Sequence, residues 1–354
     1  MNSFIWISCN LILIFILTEY IKCDNLLKNS KITDTAHVGE HCPDADTIYP
    51  CTCYVDQDTN YINLNCSSVE GEDELAQVFT SLPSMNFDVL IMKYNQHVKV
   101  LKNGVFGQVT FKLFSLTWGV IEEIEPGVLD GSQDTALMME FDTNYISIFP
   151  FESIDNFTNL IYLSLGANNI TAFPILRSQS LTDLWLISNP MGNIPADAFE
   201  HLPSLSTIQL GYCNITSIEP GHFSNLPKLL DLDLQYNLLS HIPSGAIATG
   251  SSKSYDIQLS NNKIVEVEPD AIEVVDEMPL FLENNQLSLL KEEVWRPLLE
   301  AKVFLALYGN PLECGCDLAW IIYEPELLEQ ITYDTMCADG RFIHDLDPDL
   351  FVDC

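Results

Sequence analysis

Residues 229–243 read LLDLDLQYNLLSHIP. Apolar side chains stand at Leu229, Leu232, Leu234, Leu239 and Ile242, with Asn237 set among them. Leu232 and Leu234 alternate as a short strand requires, one edge turned to a core and the other to solvent. Asn237 falls where the chain must turn out of that strand. Its amide both donates and accepts, so it can bond backbone groups of neighbouring coils. One such coil cannot bury its apolar edge alone, and the stretch therefore predicts copies of itself.

The copies recur along the chain. Aligned on the asparagine, they fall at Asn95, Gly119, Asn144, Asn168, Asn189, Cys213, Asn237, Asn262, Asn285 and Asn310, 21 to 25 residues apart. Phe111, Phe114, Leu116 and Ile121 fill the frame in one unit, Leu160, Leu163, Leu165 and Ile170 in another, and Leu181, Leu184, Leu186 and Met191 in the next. The earliest unit is the least regular, since Val98 lies one place late. This L-x-x-L-x-L-x-x-N-x-L frame resembles the leucine-rich-repeat family. It implies an α/β solenoid: a leucine-rich-repeat horseshoe with a parallel concave β-sheet and disulfide-bonded caps. The predicted organisation is a signal peptide over 1–23, a flexible leader over 24–41, a cysteine-rich N-terminal cap over 42–86, ten repeats over 87–311 and a cysteine-rich C-terminal cap over 312–354.

The signal reading rests on the apolar run FIWISCNLILIFIL at the extreme N-terminus. Its basic n-region is missing, and an uncleaved membrane anchor is the alternative. Cleavage is expected near Cys23. No second run of spanning length follows, so a secreted, extracellular protein without stable membrane insertion is expected. Cysteine usage agrees. Beyond Cys9 and Cys23, one group comprises Cys42, Cys51, Cys53 and Cys66, and another Cys314, Cys316, Cys337 and Cys354, with Cys213 alone. In an exported chain such groups read as disulfides rather than zinc ligands. Spacing alone leaves the connectivity open. Cys213, at an asparagine position, is expected to be buried, unpaired and inert.

The two groups bracket the repeats because a solenoid ends in an open apolar face that a cross-linked cap must cover. In the first cap Ile62, Leu64 and Cys66 look like a leading strand; in the last, Leu318, Trp320, Ile321 and Ile322 look like an apolar plug. Both caps resemble the cysteine-rich flanks of extracellular leucine-rich-repeat proteins. The long first spacing, CPDADTIYPCTC, resembles a set of secreted arthropod members of that family. The resemblance implies the pairs Cys42–Cys53, Cys51–Cys66, Cys314–Cys337 and Cys316–Cys354. It also implies a role as accessory chain of a secreted hetero-oligomer in which a partner does the chemistry.

Function in this architecture is expected at the outward positions of the concave sheet. Those columns collect acids at Glu140, Asp142, Asp183, Asp231, Asp233, Asp256 and Glu283, and aromatics at Tyr162, Trp185, Tyr212, Tyr236, Phe281, Phe304 and Tyr308. Basic residues are scarce in them, Lys93 standing near the N-terminal end. Aromatics beside polar groups have the composition of interface hot spots, though they also serve simply to pack against neighbouring coils. The whole chain carries 50 Asp and Glu against 15 Lys and Arg, a formal charge of −35. Such a field disfavours nucleic acid and anionic membranes and speeds encounter with a basic protein partner; solubility alone is the competing explanation.

Four N-x-S/T sequons mark Asn65, Asn156, Asn169 and Asn214 as glycan acceptors. No H-E-x-x-H, G-x-S-x-G, P-loop or G-x-G-x-x-G motif occurs. The tail HDLDPDLFVDC spaces Asp345, Asp347 and Asp349 like a calcium loop, but Pro348 and the missing glycine argue against one. An oxidoreductase would need a cofactor site that no residues suggest. The expectation is a non-catalytic binding module with no cofactor or metal. The alternative is a free-standing recognition protein of matrix adhesion, receptor signalling or innate defence.

Overall fold

The computed structural model describes residues 42–248, 250–251, 256–273 and 277–354. The expected signal peptide and leader lie outside the described residues. Among the described residues a 12-stranded sheet dominates. Its strands follow chain order: Thr52–Val55, Ile62–Asn65, Asn86–Ile91, Thr110–Ser115, Met138–Glu140, Tyr162–Ser164, Asp183–Trp185, Thr207–Gln209, Asp231–Asp233, Asp256–Gln258, Pro279–Phe281 and Phe304–Ala306. The first pair is antiparallel, and every later pair is parallel. Parallel pairing follows from the repeat itself, since each coil returns its strand in the same direction beside the last.

The central leucines of successive strands are in register. Leu163 pairs with Leu184, Leu184 with Ile208, Ile208 with Leu232, and Leu232 with Ile257, all fully buried. Each contributes about 1.5–3 kcal/mol by leaving water. Phenylalanines fill the rest of the interior. Phe79, Phe106, Phe111, Phe114, Phe141 and Phe149 run in contact, with neighbouring centroids 5.0 to 6.5 Å apart. Phe199 and Phe223, from the turn segments between strands, stack at 5.4 Å.

The asparagines form a ladder that ties coil to coil. Asn237 Nδ2 donates to Leu210 O of the preceding coil at 2.8 Å, while its Oδ1 accepts from Cys213 N and Ile215 N at 2.9 and 3.0 Å. Asn168, Asn262, Asn285 and Asn310 repeat this reach backwards. In the unit whose Val98 sits one place late, Asn95 instead turns its Oδ1 onto its own His97 N and Val98 N. Cys213 substitutes its thiol, which donates at 3.3 Å to Leu186 O and Gly211 O; it is buried and unpaired. At Gly119 a Cβ would lie 2.7 Å from Asn144 Oδ1, so the neighbouring ladder amide fills the space a side chain would need.

The caps close both ends. Disulfides join Cys42 to Cys53, Cys51 to Cys66, Cys314 to Cys337 and Cys316 to Cys354. The N-terminal cap also holds a helix over Glu72–Ser81, which buries Leu75, Val78 and Phe79 against the first coils. At the other end the helix Glu292–Glu300 buries Val294, Trp295, Leu298 and Leu299. Arg296 leaves that helix to lie over Trp320 at 5.3 Å, and Trp320 Nε1 donates to Leu290 O at 2.9 Å. Leu318 and Ile321 are fully buried beneath it. Gln330–Thr332 bonds the outer edge of the last strand through Leu305, so that edge is not left open to another chain.

Candidate functional site

The face of the sheet turned away from the leucines is built from two rows of strand residues and a turn column beyond them. One row runs Leu113, Met138, Tyr162, Asp183, Thr207, Asp231, Asp256. The next runs Ile91, Ser115, Glu140, Ser164, Trp185, Gln209, Asp233, Gln258, Phe281, Ala306. The face is therefore apolar at its N-terminal third, acidic at the centre and aromatic at the C-terminal end, where Phe304 and Tyr308 are exposed.

The turn column has a backbone feature that the sequence reading missed. Tyr94, Trp118, Thr143, Ala167, Ser188, Tyr212, Tyr236, Asn261 and Asn284 all adopt left-handed φ values of 53 to 59°. Each precedes a ladder position. For residues other than glycine this conformation costs about 1–2 kcal/mol, a cost offset by the ladder bonds that the turn allows. It also stacks side chains of consecutive turns. Tyr212 and Tyr236 lie ring on ring, 4.2 Å apart and 9° from parallel, and Tyr94 pairs with Trp118 at 6.1 Å. Burial raises the Tyr212 phenol well above its ordinary pKa, with Tyr236 and Asp233 adding to the shift.

The acids divide into two kinds. Asp183 and Asp231 are half-buried and Asp256 exposed along the first row. Asp183 Oδ2 accepts from Thr182 Oγ1 at 2.5 Å, and Asp231 Oδ1 accepts from Gln209 Nε2 at 3.1 Å. Asp233 differs. It is 1% exposed, and both its oxygens accept from Gln235, the backbone N at 2.8 Å and the side-chain Nε2 at 2.9 Å. The sequence grouped it with the solvent-facing acids; the structure withdraws it beside Gly211, where a Cβ would lie 3.3 Å from Asp233 Oδ2. Desolvation pushes its pKa up to about 7, and the nearby Asp231 adds to this. Asp142 is half-buried as a residue, but its carboxyl is shielded in a similar way. Its Oδ1 accepts from Ser164 Oγ at 2.5 Å and Gly166 N at 2.6 Å, and burial, reinforced by Glu140, pushes its pKa up to about 7.

The remaining candidates are distributed around this centre. Glu140 accepts from Ser115 Oγ at 3.0 Å, and Glu283 from Ser260 Oγ at 2.5 Å. Tyr162 and Trp185 pair at 6.0 Å, Tyr236 is exposed, and Phe281 is half-buried. Gln209, which residue-type reasoning passed over, sits between Trp185 and Asp233 in the same row; its place in that column was the available signal. Of the sequons, Asn156, Asn169 and Asn214 are exposed, whereas Asn65 is half-buried at a strand end with its Oδ1 accepting from Ser67 N at 3.0 Å.

Elsewhere, a groove lined by Val265, Val267, Leu287, Leu289 and Trp295 lies off the sheet face, crossed by the Lys291–Glu266 ion pair at 3.0 Å. Among the described residues no three His, Cys, Asp or Glu side chains converge as metal ligands, and no helix is long and apolar enough to cross a membrane.

Comparison with known proteins agrees with this architecture. Residues 179–239 and 203–264 match the family described as leucine rich repeat. A chain of the octameric complex of Latrophilin 3, Unc5D and FLRT2 superposes with a TM-score of 0.66 at 20% identity, covering 82% of this chain and 90% of that one. A chain of the TLR13–ssRNA13 complex superposes at 0.56 and 20% identity, over 68% of this chain and 34% of that one. Both likenesses are of fold alone. The Oplophorus-luciferin 2-monooxygenase non-catalytic subunit of Oplophorus gracilirostris is 37% identical over 315 residues, which span 88% of this chain and 87% of that protein. At that identity and coverage, the chain belongs to the leucine-rich-repeat family that includes this non-catalytic luciferase subunit.

Proposed function

We propose that this chain is a secreted, non-catalytic protein-binding module, the accessory or stabilising subunit of an extracellular complex, which receives a basic protein partner on its acidic and aromatic sheet face. The relative's role as a non-catalytic subunit supports the accessory assignment. The observation that carries the basic partner is the row Asp183, Thr207, Asp231, Asp256, in register on adjacent strands. A row of carboxylates raises the local concentration of a cationic partner and sets its orientation. The signal peptide, and glycans on exposed Asn156, Asn169 and Asn214, complete the reading. Glycans at Asn169 and Asn214, one residue past the ladder, would shield one edge of the coils and leave the sheet face clear.

The test is an affinity pull-down from native secretion at low and then high salt, with the parent and an Asp231→Lys/Asp256→Lys variant as baits. Asp233 is left intact because a lysine at that buried position would unfold the coil. The expected result is one basic protein at constant stoichiometry, eluting as salt rises and weakened on the variant bait. Retention by the variant with an unchanged salt slope would remove the acidic row as the docking site.

A further inference from the structure

We propose, resting on the acidic-face reading, that Tyr162, Asp183, Trp185, Gln209 and Asp231 form a seat for one arginine side chain presented by the protein partner. These residues lie on four neighbouring parallel strands in two adjacent rows. With strands spaced about 4.8 Å apart, Asp183 and Asp231 flank Thr207 at a backbone separation of about 10 Å. Gln209 stands in the adjoining row between Trp185 and Asp233.

Gln209 is the residue that needs a ligand. It is 4% exposed, its Nε2 donates to Asp231 Oδ1 at 3.1 Å, and its Oε1 is buried without a partner. The amide cannot be turned round, because that would set its oxygen against a carboxylate, acceptor against acceptor. A buried acceptor left unmade costs about 1–3 kcal/mol. It lies beside the acidic row, on the amide group whose nitrogen already holds Asp231. The group that satisfies it must be an N–H donor, and the flanking carboxylates make a cationic donor the favoured one.

The aromatic side of the seat selects the kind of cation. Trp185 and Tyr162 sit with ring centroids 6.0 Å apart beside the acids. A guanidinium is flat, weakly hydrated and carries five N–H donors. It can lie against an indole while bonding a carboxylate and the Gln209 oxygen together. An ammonium is compact and strongly hydrated, and loses the stacking. Trp185 Nε1 is also buried without a partner; a main-chain carbonyl of the same partner loop is the acceptor it lacks.

The test uses the mature, disulfide-intact chain with two fluorescent probes of equal charge, a nona-arginine and a nona-lysine peptide, at physiological ionic strength. Nona-arginine is expected to bind about 10-fold more tightly than nona-lysine. Trp185→Leu and Gln209→Met should each bring that ratio close to one, with nona-lysine affinity and melting temperature little changed. If either variant melts early, Asp183→Asn and Asp231→Asn keep the shape and should weaken nona-arginine more than nona-lysine. Equal affinity for both peptides, or a ratio that survives in folded variants, overturns the arginine seat. The acidic-face reading then stands provided that Asp231→Lys/Asp256→Lys still abolishes binding of both. Binding of neither peptide overturns the seat and the acidic face together.

Discussion

Asp233→Asn should stabilise the protein, and by an amount that grows with pH. The carboxyl of Asp233 is 1% exposed, and burial lifts its pKa from an ordinary 3.8 to about 7. An acid whose folded pKa lies above its unfolded value holds its proton more tightly in the native state. Stability from this group is therefore intact below pH 4, declines as pH rises toward 7, and is then fully lost. The shift corresponds to an upper bound of about 4 kcal/mol above pH 7, since each pKa unit is worth about 1.4 kcal/mol. About 2–3 kcal/mol of that develops between pH 5 and pH 8. Asparagine has the same shape and never ionises. Its carbonyl can keep the bond from Gln235 N, now 2.8 Å from Asp233 Oδ1, and the Gln235 amide can reverse to accept from the new NH₂.

The assay is urea unfolding of parent and variant at pH 5 and pH 8 with disulfides intact. Comparing the two proteins at each pH cancels the repulsion set up by a net charge of −35, which both share to within one unit. With a urea slope of about 3 kcal/mol/M, the variant's midpoint advantage should widen by about 1 M between the two pH values. An advantage equal at both pH values, or a loss at pH 8, would refute the claim that Asp233 is held protonated by burial. The same cycle at Asp142, whose pKa is likewise about 7, should have the same sign.

Three further outcomes follow from the coils themselves. Asn262→Ala removes the acceptor of Leu239 N and the donor to Leu234 O and Leu259 O, and should cost about 2–4 kcal/mol in urea or thermal unfolding; a loss below about 0.5 kcal/mol would mean the ladder is not a main tie between coils. Thr143→Gly relieves a β-branched residue at φ 56° whose Oγ1 is buried without a partner. It should leave stability unchanged or raise it by about 1 kcal/mol, and a clear drop in melting temperature would contradict the strain assigned to that turn. Cys213, whose thiol burial pushes up to about 12, should resist iodoacetamide at pH 8 and label only as the solenoid unfolds; rapid labelling of native protein would show that the ladder opens locally.

What could be read in the sequence was what a period fixes. The asparagine frame set which residues share a row, so Asp183, Asp231 and Asp256 could be placed on one line before any coordinate was known, and the register pairs them so. A helix at Glu72–Ser81 was equally open to that reasoning through the spacing of Leu75, Val78, Phe79 and Leu82, but it lies in a cap, where the repeat gives no guide. Depth was not legible. Asp231 and Asp233 stand two residues apart in the same strand and are identical in type, yet one lines the face while the other is enclosed with Gln235 beside Gly211. Asp233 falls in the more enclosed row, with Ser164 and Gln209, and Gly211 of the preceding coil leaves room for its carboxylate. The same holds for Gln209, whose unmet oxygen is a property of its neighbours rather than of its own identity. In a solenoid, sequence assigns the column. The side chains packed around each position on adjacent coils decide which of them remain available to a partner.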